Sequence, residues 1–344
     1  MNNYKGTFVY TICLLGLTLF PACLEVTTTS QVNTDGSIAR TIKLEDDSAS
    51  IYRGIFPIPI DSTWQQTIEK IDEKTFRLTA SKLFHDVDEM NIALKGTMGK
   101  TLQFQFALDR RFQWFFTKYR FEERNLKYFQ FDSIPMADFL SKEEIEGWRI
   151  HEIEKKPFAS KGDSLALMSA GPRFEEWERR NVFEPVFSAF MGGVRMLNDP
   201  RLTDSMVLKH KDSLYAHSAD FVTGKIDTLP FIFARLLKTP LARKAWDANA
   251  QQIKELKEKI TQDFGGKYVT NVVMPGLITA SNAETIEGNR ATWRDFKDYA
   301  KYLGFTMWIE SKQVNWWAVI LTGAVVVLLA VLLGVSASRR RRLA

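Results

Sequence analysis

Residues 316–335 read WWAVILTGAVVVLLAVLLGV, twenty consecutive positions without a charge. As a helix rising 1.5 Å per residue, such a stretch covers about 30 Å, the thickness of a bilayer's hydrocarbon core. Trp316 and Trp317 stand at one edge, where indoles favour the headgroup layer, and Arg339, Arg340, Arg341 and Arg342 follow just past the other. A buried core helix has no use for four arginines directly behind twenty apolar residues. The segment therefore predicts a transmembrane helix. By the positive-inside rule the basic tail 336–344 is cytoplasmic and everything before Trp316 is outside. Gly323 and Gly334 form no GxxxG pair, so the helix carries no dimerisation signal of that kind.

This topology changes the meaning of the charge. The chain has 46 Lys and Arg against 41 Asp and Glu, a net charge of +5. Lys5 is the one charged residue in 1–22, and the tail arginines are the other four excess cations; removing these five from 46 leaves 41 cations against 41 anions. A neutral body offers no global electrostatic footprint for nucleic acid.

At the front, residues 8–20 (FVYTICLLGLTLF) form an apolar run behind Lys5, followed by Pro21, Ala22 and Cys23. Thirteen residues are short for a membrane span but suit the apolar region of an export signal, with small Ala22 at the cleavage edge. Leu19-Phe20-Pro21-Ala22-Cys23 resembles the lipobox of bacterial lipoproteins. That resemblance implies cleavage after residue 22 and a diacylglycerol on the Cys23 thiol. The other reading is an ordinary signal or an uncleaved anchor with Cys23 incidental. Cys13 lies in the signal, so Cys23 would be the single cysteine of the mature chain. Disulfides, CxxC redox pairs and thiolate zinc sites are then excluded.

The body begins with strand texture. Residues 24–44 hold two Thr/Val/Ile-rich runs around Asn33-Thr34-Asp35-Gly36, which is hairpin chemistry. Asp61-Ser62 before Trp64, Ile68 and Ile71 predicts a capped amphipathic helix, and Phe76, Leu78 and Ala80 alternate as a strand. A short helix is expected over 86–94. Residues 104–131 then carry eleven aromatics in 28 positions. Leu102, Phe104, Phe106 and Leu108 alternate, Asp109-Arg110 reads as a turn, and Phe112, Trp114 and Phe116 alternate again, which predicts an apolar-faced hairpin. Phe112, Trp114 and Phe116 are candidate ligand-facing aromatics of a lipophilic groove or bilayer-resting surface. The alternative is an ordinary sheet core.

From about residue 133 to 264 the spacing turns helical, with Phe174, Trp177, Phe183, Phe187 and Phe190 on repeating faces, Pro185 as a kink or boundary, and Gly192-Gly193 as a loosened point. Helices are also expected over 229–239 and 241–260. Strand texture returns at 267–274, pauses at Pro275-Gly276, and resumes toward the membrane. The expected fold class is α+β. One antiparallel β-rich sheet is built from both ends of the exported body, with a central α-helical insertion and one C-terminal transmembrane helix. The expected segments are a lipoprotein-type signal (1–22), a β-rich part (23–132), the helical insertion (133–264), completing strands (265–312), the membrane helix (316–335) and the tail (336–344).

Met274-Pro275-Gly276, Ser281-Asn282, Gly288-Asn289, Thr292-Trp293 and Trp316-Trp317 entering the membrane helix, with the Asp-Gly turn near the front, resemble the LppM-type domain of bacterial membrane-anchored lipoproteins. The resemblance implies an α+β fold and contact with lipids or envelope components. It does not cover the helical insertion.

Local catalytic motifs are missing. GxSxG, a P-loop, a dinucleotide fingerprint and HExxH do not occur. His85, His151, His210 and His217 match no zinc spacing, so neither a metal nor a cofactor is expected. Glu143-Glu144 and Glu175-Glu176 are adjacent pairs that diverge on a helix. The resulting expectation is a non-enzymatic envelope lipoprotein of the bacterial inner membrane. Its partners would be the lipid bilayer and a lipid-like ligand or an envelope protein, with no nucleic acid. The alternative is a hydrolase of envelope polymers using a carboxylate pair that folding brings together.

Overall fold

The computed structural model describes residues 24–53, 56–96, 101–153, 161–217, 226–260 and 266–343. The signal, Cys23 and the side chains of Arg339, Arg340, Arg341 and Arg342 lie outside what is described. In chain order the first elements are β1 (Glu25–Val32), β2 (Ile38–Asp47), α1 (Ser48–Arg53), β3 (Gln65–Lys70), β4 (Thr75–Phe84), α2 (Val87–Ala93), β5 (Phe104–Gln113) and β6 (Phe116–Asn125). Helices follow: α3 (Lys142–Trp148), α4 (Lys161–Leu197), α5 (Asp204–Lys209), α6 (Lys211–Ala216), α7 (Leu229–Leu236), α8 (Leu241–Ala248) and α9 (Ala250–Ile260). The chain then forms β7 (Lys267–Val273), β8 (Leu277–Ser281), β9 (Thr285–Glu287), β10 (Arg290–Arg294), α10 (Lys297–Leu303), β11 (Phe305–Val314) and α11 (Trp316–Leu343). Two units result, one from Met1–Leu126 with Gly265–Ala344 and one from Lys127–Phe264.

The first unit contains two sheets, where one was expected. Their strand orders are β3-β4-β2-β1-β7-β10-β9 and β5-β6-β11-β8. Pro275-Gly276 carries the chain from the first sheet to the second, so β7 and β8 do not pair. Gly276 has φ +76° there, and a Cβ on it would lie 2.2 Å from the Lys312 carbonyl oxygen. β1 and β7 pair in parallel, Glu25 opposite Lys267 through Gln31 opposite Val273. Parallel neighbours need a long crossover, and the whole intervening chain supplies it. The other pairings are antiparallel.

The β1–β2 hairpin turns as its sequence suggests: Gly36 takes φ +100° and Asp35 accepts the Ser37 N–H at 2.9 Å. α2 begins at Asp86, whose carboxylate caps the Glu89 N–H at 2.8 Å. The helix expected from Asp61 is instead a turn followed by β3. Asp61 accepts from Thr63, and Gln65–Lys70 pairs with β4 as an exposed edge strand. Ile68 and Ile71 are each 43% exposed, so their helical spacing has no core to face; tertiary pairing overrides it.

The second unit packs α4 against α8, with Phe183, Phe190, Phe233 and Trp246 buried. α4 continues through Pro172 and Pro185, and Gly192-Gly193 lies inside it. This corrects both the boundary and the loosened point. A Cβ at Gly193 would meet the Ala245 carbonyl oxygen at 1.8 Å, so glycine is what lets the two backbones approach.

Candidate functional site

The aromatic hairpin and the apolar helix meet. β5 does not turn at Asp109-Arg110 but continues to Gln113, paired residue by residue with β6 from Phe104 opposite Asn125 to Gln113 opposite Phe116. The turn is therefore Trp114-Phe115. Asp109 and Arg111 share one strand face and bond to each other at 2.7 Å, which lets the polar run stay extended. Phe112, Trp114 and Phe116 consequently do not share a strand. Phe112 is opposite Thr117 on one face, Trp114 is in the turn, and Phe116 starts β6 on the other face.

Asn315, the single residue between β11 and α11, holds this turn. Its N–H donates to the Phe115 carbonyl at 2.9 Å, and its amide nitrogen donates to the carbonyls of Gln113 at 2.9 Å and Trp114 at 3.3 Å. Its amide oxygen accepts from the Thr117 hydroxyl at 3.0 Å. The turn is thus fixed level with the start of the helix. From there Trp114 donates its indole N–H to the Thr322 hydroxyl at 2.8 Å. Thr322 is six residues beyond Trp316, about 9 Å along the helix axis. Phe112 stacks on Trp317 at 6.2 Å and 8°, and Trp114 meets Trp317 edge to face at 5.5 Å.

These contacts leave the aromatic tip open. Phe112 is 59% exposed, Trp114 47%, Phe115 46%, Trp316 65% and Trp317 55%. Five large aromatics therefore ring the entry of a helix whose segment Trp316–Ser336 is long and apolar enough to cross a membrane. Phe115 was not singled out by sequence reasoning; the signal for it was the run of three aromatics at 114–116 with no polar residue between. Phe116 is half-buried, with the Lys312 ammonium 4.2 Å above its ring.

On the outer face of the second sheet, just behind the tip, lies a groove of about 460 Å³. Cross-strand register sets Arg111 opposite Lys118 and Lys118 opposite Lys312. The next row sets Asp109, Arg120 and Glu310 side by side. Arg120 bonds Glu122 at 2.9 Å and Glu310 at 2.6 Å, and these carboxylates, Glu122 foremost, hold its guanidinium pKa above the ordinary value.

One glutamate of each adjacent pair in the helical unit is committed elsewhere. Glu144 closes a capping box with Ser141 and pairs with Arg173, which holds its carboxyl below the usual range. For Glu176, burial pushes the pKa up, but hydrogen bonds led by Arg179 outweigh it and hold the carboxyl at about 2. His85 pairs with Glu89, while His210 and His217 bond backbone carbonyls one turn earlier. Among the described residues no three His, Cys, Asp or Glu side chains are grouped to hold a metal.

No family model matches the chain, and no curated protein does. The solved folded domain of Mycobacterium tuberculosis LppM aligns over 87% of this chain and 95% of that one, at TM-score 0.30 and 9% identity.

Proposed function

We propose that the chain is a membrane-anchored envelope protein. Its β-rich unit is exported and docked on the bilayer by the aromatic hairpin, where it binds a lipid-like envelope component or a protein partner. The bond between Trp114 and Thr322 carries this reading. It ties the exposed tip to the second turn of an apolar helix, so a helix that spans a membrane brings Phe112, Trp114 and Phe115 into the headgroup layer with it. Amphipathic aromatics favour that layer. Acylation of Cys23 would add a second anchor at the other end, and two anchors give stable attachment where one chain alone is marginal.

A hydrolase is the weaker reading. A general acid must hold its proton near the working pH. Glu144 and Glu176, whose carboxyls Arg173 and Arg179 hold below the usual range, are poorly suited to that role.

Protease shaving of intact spheroplasts expressing the full chain tests the topology. The expected outcome is digestion of the body with an epitope after Ala344 protected. Digestion of that epitope in sealed cells, with the body protected, would overturn the proposal.

A further inference from the structure

We propose that the row Arg111, Lys118 and Lys312 is a binding site for the phosphate groups of anionic phospholipid in the leaflet that α11 enters. This rests on the docking reading above and names what the sheet face behind the tip would touch.

Three cations stand side by side on adjacent strands, since residues directly opposite in register project from the same face. Like charges so placed are destabilising. The neighbouring acids do not relieve the row fully. Asp109 is taken by Arg111, and Glu310 and Glu122 are taken by Arg120. Lys118 and Lys312 have no ion-pair partner among the described residues, and both are exposed. Around the groove, four cations (Arg111, Lys118, Arg120, Lys312) face two acids (Asp109, Glu310), an excess of two positive charges. In a body that is formally neutral, this local excess calls for an anion from outside.

Its position says which anion. Lys312 lies three residues before Asn315, about 10 Å back along extended chain from the helix start. Tryptophans at the helix start mark the membrane interface. The row therefore stands at the outer edge of the headgroup layer, within reach of long side chains that extend their charges toward it. Lys312 already leans this way, its ammonium lying over the tip-side ring of Phe116. Phosphate is the anion that the headgroup layer supplies at this depth. The Thr279 hydroxyl and the Arg111 guanidinium at the groove wall add donors for its oxygens.

The test is lysine acylation of the full chain, read residue by residue by mass spectrometry. It compares nanodiscs of phosphatidylcholine alone with nanodiscs of equal phosphatidylcholine and phosphatidylglycerol. Lys118 and Lys312 should react about fivefold more slowly in the anionic discs, the factor corresponding to roughly 1 kcal/mol per cation near an anionic surface. Lys43 and Lys70, on the other sheet, should be unchanged. A nitroxide on Phe115→Cys, with Cys13 and Cys23 replaced by serine, reports tip depth in the same discs. Equal lysine rates beside an immersed label overturn the phosphate site alone; equal rates beside a label in water overturn both proposals. Full protection by millimolar inorganic phosphate in non-ionic micelles would overturn the lipid as its source.

Discussion

Replacing Glu123 by alanine should destabilise the β-rich unit by about 3–5 kcal/mol, because it leaves a buried guanidinium without its counter-charge. Arg40 and Glu123 are 0% and 1% exposed. Arg40 lies on β2 of the first sheet and Glu123 on β6 of the second, bridged by two bonds of 2.8 and 3.0 Å, with the Ser30 hydroxyl accepting a third at 2.7 Å. The Phe104 and Phe106 rings cover the guanidinium at 5.8 and 5.2 Å. Since 1 kcal/mol shifts the melting midpoint of a unit this size by about 2–4 °C, the expected fall in Tm is about 10 °C. Thermal unfolding of the full chain in micelles, followed by circular dichroism, reads it. The double variant Arg40→Met with Glu123→Leu should recover most of the loss, because a well-packed apolar pair removes both desolvation penalties. A single variant that melts like the parent would show that the pair does not join the sheets.

Trp293→Ala should cost a comparable amount, about 3–5 kcal/mol, through the cavity it leaves. Trp293 is fully buried on β10 of the first sheet, and its indole N–H donates to the Asn282 backbone carbonyl at 3.1 Å and to its side-chain oxygen at 3.2 Å. That Asn282 oxygen also accepts the Trp308 N–H at 2.9 Å, and the Asn282 amide donates to the Thr306 carbonyl at 2.8 Å, both on β11 of the second sheet. Asn282 and Trp293 thus form a second seam between the sheets. Trp293→Phe keeps most of the packing and loses the donor, so about 1–2 kcal/mol is expected. Equal losses for alanine and phenylalanine would mean that the hydrogen bonds, and not the volume, dominate; the same melting experiment decides.

The two seams mark what could and could not be read in the sequence. Asn282 and Thr292-Trp293 stood out as residues, but their joint role did not, because β10 and β11 belong to different sheets. Arg40 and Glu123 do carry a signal in the sequence. Ile38, Arg40, Ile42 and Leu44 share one strand face, as do Tyr119, Phe121 and Glu123. A charge in phase with an otherwise apolar face is a buried charge awaiting a partner. Local chemistry was more readable: the Asp35-Gly36 turn, the Asp86 cap and the apolar helix from Trp316 all follow from neighbouring residues. The parallel pairing of β1 with β7 joins positions about 240 residues apart and leaves no local mark. The hairpin tip departs from its local turn chemistry for a related reason. Asp109-Arg110 has turn chemistry, but pairing with β6 and the anchor at Asn315 select Trp114-Phe115 instead.

The depth of that tip is the most direct test of the account. With a nitroxide at position 115 of the full chain in nanodiscs, power-saturation spectroscopy compares collisions with oxygen, which concentrates in the bilayer, and with a water-soluble nickel chelate. Oxygen should dominate, as for a label placed within the first turns of α11. A label at position 115 that the nickel chelate reaches as freely as one at Asp72 on the exposed β3–β4 turn would contradict it.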